Sequence, residues 1–486
     1  MTPATIRIGA ARIGLDDVFA RMPFRFGVVT IEAAVAATLA LELTVEGRAV
    51  TGYASEILAY KWFDKRPEKS AADNVADLLA ILQDAVARAG TFPEGDIFTL
   101  WRHLDAEMRA AAEAQGHNDL MAGYGTSMVE RALIDGAGRA LGLSLHEMLA
   151  QGVTGLAPAA MFPELAHEDP MAALAPKPLD RIAVRHTVGM LDPLDGGDLS
   201  DRLDDGLPET LEDYLATGIR YLKVKIAGDT EADLDRLRRI GALVDRMGRP
   251  VRLTLDGNEQ FASADAFAGF MEAVRAEPLL DTLRRAILFV EQPIERKAAL
   301  SAPLDPSALQ AIGLPLLIDE SDDAPDAFRR AIDLGYQGVS HKNCKGVLRS
   351  VMNAILARHH SAARGVALFQ SAEDLSCLPI AGLNADLAVV ASLGIGHVER
   401  NAHHFFAGMA HLPPADVAAG LAEHPDLYHP DGRTGGRLTI RDGLLATGSL
   451  QRPGMGFPPP DMDARTRPED WSFDRLARRP RQKKEP

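Results

Sequence analysis

Tyr221-Leu222-Lys223-Val224-Lys225-Ile226 sets two lysines two residues apart inside an apolar run. Side chains alternate between the faces of a strand, so both ammonium groups point to one side. Buried cations are costly unless anions face them. Three acids downstream stand immediately after apolar runs of the same kind. Asp256 follows Val251-Arg252-Leu253-Thr254-Leu255, Glu291 follows Ala286-Ile287-Leu288-Phe289-Val290, and Asp319 follows Leu314-Pro315-Leu316-Leu317-Ile318. Val339-Ser340-His341-Lys342 ends another run. From Lys225 to Lys342 the successive charges lie about 23 to 35 residues apart, the length of a strand-plus-helix unit, and a parallel barrel brings such strand ends to one mouth.

The rest of the chain fits that plan. Strands are expected to end near Gly189, Lys225, Asp256, Glu291, Asp319, Lys342, Gln370 and Glu399, with amphipathic helices between them. This alternation favours a parallel α/β sheet, and the span of about 230 residues is close to the roughly 250 typical of the barrel. Residues 1–155 read as a separate α+β capping layer, with a strand-like piece at Arg48 to Tyr60 and a helix from Gly125 to Gln151. Residues 156–181, rich in Pro, Ala and Gly, read as a linker. The barrel is assigned to 182–410, with an acidic, glycine-rich loop from Asp192 to Asp213. Residues 411–457 are expected to return to the capping layer through a hairpin of Gly436–Ile440 and Leu444–Ser449. The stretch 458–486 reads as a mobile solvated tail, and its basic part beyond about Asp474 is expected to be dispensable, so that truncation at Ser472 leaves the rate nearly unchanged.

Composition excludes several classes. A formal charge of −16 in 486 residues argues against nucleic acid or an anionic membrane surface as partner. No early apolar stretch reads as a signal peptide or a membrane span. Two cysteines, Cys344 and Cys377, cannot build a disulfide framework and suit a reducing, cytoplasmic setting. No zinc-type spacing, Gly-x-Ser-x-Gly motif or phosphate loop occurs, and Gly123-Tyr124-Gly125 lacks the third glycine of a dinucleotide fingerprint.

A lone acid at a strand end is most often the cap of the following helix. Three at barrel-unit spacing read instead as a metal site. Converging carboxylates repel one another, and a hard divalent cation with oxygen ligands relieves this best, so Mg2+ is the expected ion, with Mn2+ as alternative. His359-His360 and His403-His404 read as helix-face or loop residues.

At this point the chain resembles the enolase superfamily, in particular its mandelate racemase and muconate-lactonizing branch. Lys223-x-Lys225, Asp256-Gly257-Asn258, Glu291-Gln292-Pro293 and Asp319-Glu320-Ser321 match its motifs in order and spacing. Met22-Pro23-Phe24-Arg25 is similar to its substrate-covering loop, Val129 to Asp135 to its capping helix, and Pro453 to Gly456 to its carboxyl-terminal return. The resemblance implies a modified (β/α)7β barrel of TIM type under an α+β cap, with Asp256, Glu291 and Asp319 binding magnesium. It implies that Lys225 abstracts a proton α to a carboxylate, giving a metal-stabilised enolate, and that Lys342 serves the opposite face. Lys223 and the cation are expected to lower the Lys225 pKa from its ordinary value of about 10.4. Asn258, Glu320, Ser371, Glu399 and Arg25 are the expected supporting or substrate-binding residues, and a homo-oligomer is implied.

The two-lysine arrangement resembles the lactonizing, N-acylamino-acid racemase and dipeptide epimerase group. Two departures stand out. The double glycine after the sixth-strand lysine is replaced by Lys345-Gly346-Val347, and the Asp-x-Asp of dipeptide epimerases is absent from His397 to Asn401. The expected function is racemisation, epimerisation or cycloisomerisation of a small carboxylic acid. Dehydration of a hydroxy acid, such as a sugar acid, is the alternative among enzymes. A metal-retaining, non-catalytic binding protein is the alternative from another class, against which the intact lysines argue.

Overall fold

In the computed structural model, which describes residues 2–26, 29–203 and 205–477, three long antiparallel strands form the first layer. They are β1 (Ile6–Phe26), β2 (Val29–Val45) and β3 (Arg48–Ile57). Helices Ala71–Ala89, Ile97–Gln115 and Asp119–Leu141 accompany them, each opened by a side-chain cap from Ser70, Asp96 or Asn118. The third helix lies directly on the sheet. A Cβ on Gly52 would sit 2.0 Å from the carbonyl oxygen of Ala132, so only glycine allows this approach. The expected helix from Gly125 to Gln151 is two helices, because Gly142 takes a left-handed φ of 72° and the chain restarts at Leu145 under a Ser144 capping box.

Eight parallel strands follow: β4 (Arg181–Val188), β5 (Tyr221–Lys225), β6 (Arg252–Asp256), β7 (Ile287–Glu291), β8 (Leu316–Ile318), β9 (Gly338–His341), β10 (Phe369–Ala372) and β11 (His397–Arg400). Each pairs with the next, and β11 pairs back onto β4, with Arg400 opposite His186, so the barrel is closed. Seven crossovers carry helices, from Leu211–Ala216 to Ala381–Leu393. After β11 the chain forms the four-residue helix Ala402–Phe405 and then the helix Pro414–Glu423, with no further parallel strand following among the described residues. This is the (β/α)7β plan. Among the described residues no helix is long and apolar enough to cross a membrane.

The carboxyl-terminal part departs from expectation. Gly436–Ile440 and Leu444–Ser449 do not form a hairpin with each other. β12 (Tyr428–Asp431) pairs with β13 (Gly435–Leu438), while β14 (Leu444–Ala446) adds an antiparallel strand to β4 of the barrel sheet. The return to the cap comes later. Gly454 N donates to Leu143 O at 3.0 Å, and Met455 N donates to Asp135 Oδ1 at 3.0 Å.

The stretch from Pro458 to Ala477 is packed rather than loose. Thr466 bridges Leu15, Trp471 Nε1 donates to Asp17 Oδ1 at 2.8 Å, Phe473 meets Tyr60 edge-on, and Leu476 is buried. Residues 478–486 lie outside the described residues. Deleting everything after Ser472 should therefore lower stability by roughly 1–3 kcal/mol through loss of Phe473 and Leu476, with turnover preserved. Thermal unfolding checks this; an unchanged melting temperature would make these contacts idle.

One cap residue also builds the barrel. Glu130, on helix Asp119–Leu141, accepts from Val347 N at 3.1 Å and Leu348 N at 2.6 Å, capping the helix Val347–Arg364 that follows the Lys342–Lys345 turn. Burial outweighs those bonds and pushes its pKa to about 7. Burial likewise raises Glu56 and Asp192 to about 7. A folded pKa above the unfolded one means stability that is full below about 4 and is lost as pH rises through about 7. The melting temperature should fall between these limits, and Glu130→Gln should flatten the slope; a wild-type curve that rises over this range would contradict it.

Candidate active site

Alternation along the strands aims Lys223, Lys225, Asp256, Glu291, Ser340, Ser371, Glu373 and Glu399 into the barrel. Lys225 pairs with Asp256, and Asp256 with Glu291, in register across β5, β6 and β7. Asp256, Glu291 and Asp319 are fully buried, Lys225 is 7% exposed and Lys342 is 4% exposed. Lys225 and Lys342 stand on, or just after, strands four places apart in the closed ring of eight, so they face each other across the mouth.

Lys223 is the deepest hub. Its Nζ lies 2.9 Å from Asp256 Oδ2, 2.7 Å from Glu291 Oε2, 2.9 Å from Glu373 Oε2 and 2.7 Å from Glu399 Oε2. Burial alone would lower its pKa, but the four carboxylates hold it well above its ordinary value. Glu399 is fixed in turn by Thr187 Oγ1 at 2.7 Å and Asp374 N at 2.9 Å. Ser371 lies under the site, donating to Glu373 Oε1 at 2.6 Å and accepting from Arg185 at 3.0 Å.

The two outer lysines each hold one acid. Lys225 Nζ is 2.5 Å from Asp256 Oδ2, and Lys342 Nζ is 2.5 Å from Asp319 Oδ2. Lys345 adds a second cation on Asp319, 3.0 Å from Oδ1, and also donates to Ser340 Oγ at 2.7 Å. Although burial opposes it, Lys342, Lys345 and Lys223 keep Asp319 well below the usual carboxylate range. The Lys342 ammonium is held above its ordinary value, since Asp319 overcomes the burial that would lower it.

The strand ends are strained where the acids meet. Asn258, Glu259 and Gln292 take φ values of 39°, 72° and 32°, a left-handed region that non-glycine residues enter at a cost. Each supports the site. Asn258 N donates to Asp256 Oδ1 at 2.9 Å, and its Nδ2 to Glu320 Oε1 at 3.2 Å. Gln292 Oε1 accepts from Asp319 N at 2.8 Å and Ser321 N at 3.1 Å.

The cap closes the mouth. Trp62 lays its ring 4.5 Å from Lys342 Nζ, and Lys65 reaches Glu259 and Asn258 O. Arg296, paired with Glu259, donates to the carbonyls of Trp62 and Phe63 at 3.0 and 3.1 Å. Arg25 is exposed at the β1–β2 tip, in register with Thr30. Its neighbour Arg21 is the buried one, donating to Asp205 at 2.5 and 2.9 Å and to His404 O at 2.8 Å.

Sequence reasoning expects a specificity loop near Trp62 but not its place over Lys342, and it missed Glu373, Lys345 and Lys65 as parts of the site. Glu373 carries the same signal as the other acids, following the strand Phe369–Ala372 directly, and was hidden by ending that strand near Gln370.

A divalent cation fits these residues in chemistry. The donor set is three fully buried carboxylates. Glu291 Oε2 has no hydrogen bond despite its approach to Lys223. Burial, Asp256 and Glu373 push the Glu291 carboxyl well above its ordinary range, so this group gains most from a further cation. In the arrangement seen, the ammonium groups take the carboxylate oxygens, and among the described residues no three His, Cys, Asp or Glu side chains converge closely enough to hold an ion.

Residues 206–463 match the model of the enolase C-terminal domain-like family, and the chain belongs to that family. No curated protein matches it in sequence. Among solved structures it is similar to 2-chloromuconate cycloisomerase from Rhodococcus opacus, at 15% identity over 94% of this chain and 98% of that one, with a TM-score of 0.60. It is similar also to N-succinyl Arg/Lys racemase from Bacillus cereus, at 15% identity over 94% and 96% of the two chains, TM-score 0.60. A dipeptide epimerase from Methylococcus capsulatus, complexed with Mg and the dipeptide L-Arg-D-Lys, shares 19% identity over 93% and 99%, TM-score 0.56. At these identities the likeness is one of fold.

Proposed function

We propose that this enolase-superfamily enzyme interconverts a small organic acid and the enolate formed by loss of the proton α to its carboxylate, returning that proton to the same carbon in racemisation or epimerisation, or coupling its transfer to ring closure or opening in cycloisomerisation. The observation that carries the reading is the pair Lys225 and Lys342, both buried under the cap, across the mouth from each other, each next to an acid at a strand end. Asp256, Glu291 and Asp319 are the residues that would hold Mg2+, supported by the ion named with the dipeptide epimerase. When bound, the ion withdraws charge from the substrate carboxylate and so acidifies the α-carbon.

The chain's own residues do the rest. Lys225 takes the α-proton on one face and Lys342 gives or takes one on the other. Lys223 stays cationic and keeps Glu373 and Glu399 neutralised beneath them. Trp62 covers Lys342 and keeps bulk water from its ammonium group. A library of carboxylic acids incubated in deuterated water, read by mass spectrometry for deuterium at the α-carbon, tests the reading; no exchange from any candidate in the presence of Mg2+ counts against it.

Metal dependence is a separate expectation. Chelation should abolish exchange and lower the melting temperature, since it leaves three buried acids with fewer cations. Added Mg2+ should restore both, and Glu291→Gln should weaken metal binding measured by calorimetry. Full exchange in a preparation shown by elemental analysis to be metal-free would defeat the assignment.

A further inference from the structure

Between the first and seventh barrel helices lies a cavity of about 200 Å³. It is walled by Tyr214 at the first barrel helix, Leu383 on the seventh, and Leu438 to Ile440 at the exit of β13. Leu207 adds a further apolar wall. Among the described residues its lining holds Arg400, Arg437, His403 and His429, with Tyr214 and Cys377 as further titratable groups and no Asp or Glu, while Arg400 pairs with Asp386 and Asp374 and Arg437 with Asp431.

Three of the lining side chains, Arg400, His403 and Arg437, have a buried nitrogen without a hydrogen bond, Arg437 Nε lying 3.0 Å from Asp431 Oδ2. Arg400 is 1% exposed; its Nη1 donates to Glu399 O at 3.0 Å, its Nη2 pairs with Asp386, and its Nε has no acceptor. His403 Nε2 meets His186 Nδ1 at 3.2 Å, while its own Nδ1 has no partner. Burial and the neighbouring Arg400 and Arg21 bring the His403 pKa down to about 3, so the ring is neutral and Nδ1–H is a donor when His186 donates to Nε2. Buried donors without acceptors in an apolar cavity call for an occupant with an apolar body and an acceptor end.

We propose that this cavity binds a small organic monocarboxylate with an apolar body, at a site separate from the barrel mouth. An engineered apolar cavity of about 150 Å³ holds a benzene molecule, so the volume suffices for one ring. The separation follows from strand geometry: Glu399 faces the barrel interior, and Arg400, the next residue of β11, faces the opposite side. The two are joined. Asp374 N donates to Glu399 Oε2 at 2.9 Å, and Asp374 Oδ1 accepts from Arg400 Nη1 at 3.3 Å, so an occupant against Arg400 bears on the carboxylate that holds Lys223.

Benzoate and its neutral relative benzyl alcohol serve as probes, titrated into the full-length chain by calorimetry. Saturable benzoate binding is expected, at least about tenfold tighter than that of benzyl alcohol. Leu438→Trp, which fills the cavity from its half-buried wall, should weaken benzoate by a similar factor without changing the circular dichroism spectrum. Leu207→Trp fills it from the other side and serves if the first variant does not fold. Absence of saturable binding at millimolar benzoate, equal binding of benzyl alcohol, or benzoate binding untouched by the filling variants, which would locate it at the barrel mouth, each overturns the proposal.

Discussion

Lys223→Ala should cost about 3–5 kcal/mol of folding stability, the range for breaking a buried ion pair by removing one partner. Its Nζ stands within 2.7 to 2.9 Å of four carboxylates on four different strands, β6, β7, β10 and β11, or the residues just after them. Without it, Asp256, Glu291, Glu373 and Glu399 face one another with Arg185 on Glu373 and Lys225 on Asp256 as the remaining direct cations. The effect is large because nothing screens these groups. An ion pair such as Arg12–Asp463, with side chains 64% and 87% exposed, contributes about 0–1 kcal/mol in contrast. Since a domain of ordinary stability has about 5–15 kcal/mol in total, the variant should unfold at much lower urea concentration. A midpoint close to wild type would mean that the four acids find another way to neutralise one another, and Lys223 would then be a dispensable member of the site.

What the sequence reveals of this site follows from which interactions are local. The alternation that aims Lys223 and Lys225 inward, and the acids closing β6, β7 and β8, depend on residues within one strand, and so the barrel, its order and its charged mouth are all legible from single runs. Contacts between distant segments are not. Trp62 over Lys342 and Lys65 over Asn258 join the cap to strands far along the chain, and no local pattern marks a tryptophan as the roof of an ammonium group. Arg21 and Arg25 illustrate the limit closely. Both lie in β1, but the register of β1 against β2 shifts between Phe19 and Phe24, and which arginine ends up buried depends on that irregularity. The tail misled for a different reason. Its proline and charge content hid Trp471, Phe473 and Leu476, whose apolar surface is enough to seat it against β1 and the residues after β3. Likewise β14 has too little length to announce a partner, and pairs with β4 because that strand otherwise presents an open ladder below the barrel closure.

The exchange experiment separates the reaction types that the site allows. If the enzyme carries out a 1,1-proton transfer, Lys225 and Lys342, opposite each other across one enolate, each act as base toward one stereoisomer and as acid toward the other. Lys225→Ala should then abolish deuterium incorporation from one stereoisomer and leave it partly intact from the other, with Lys342→Ala doing the reverse. The expected loss is about 10²–10⁴-fold for the affected isomer, the usual contribution of a positioned general base. Ring closure or elimination breaks this symmetry, because only one lysine meets the α-proton while its partner serves the leaving group or the developing charge. Exchange is then lost with one substitution alone. Lys345 sharpens the comparison, since it also lies on Asp319, 3.0 Å from Oδ1, yet is held to Ser340 and the Asp319 backbone. Lys345→Met should therefore weaken both directions together, as a group that sets the position of Asp319 would. If neither Lys225→Ala nor Lys342→Ala lowers exchange by at least about tenfold, below the range for a general base, both lysines lose their proposed roles whatever becomes of the metal.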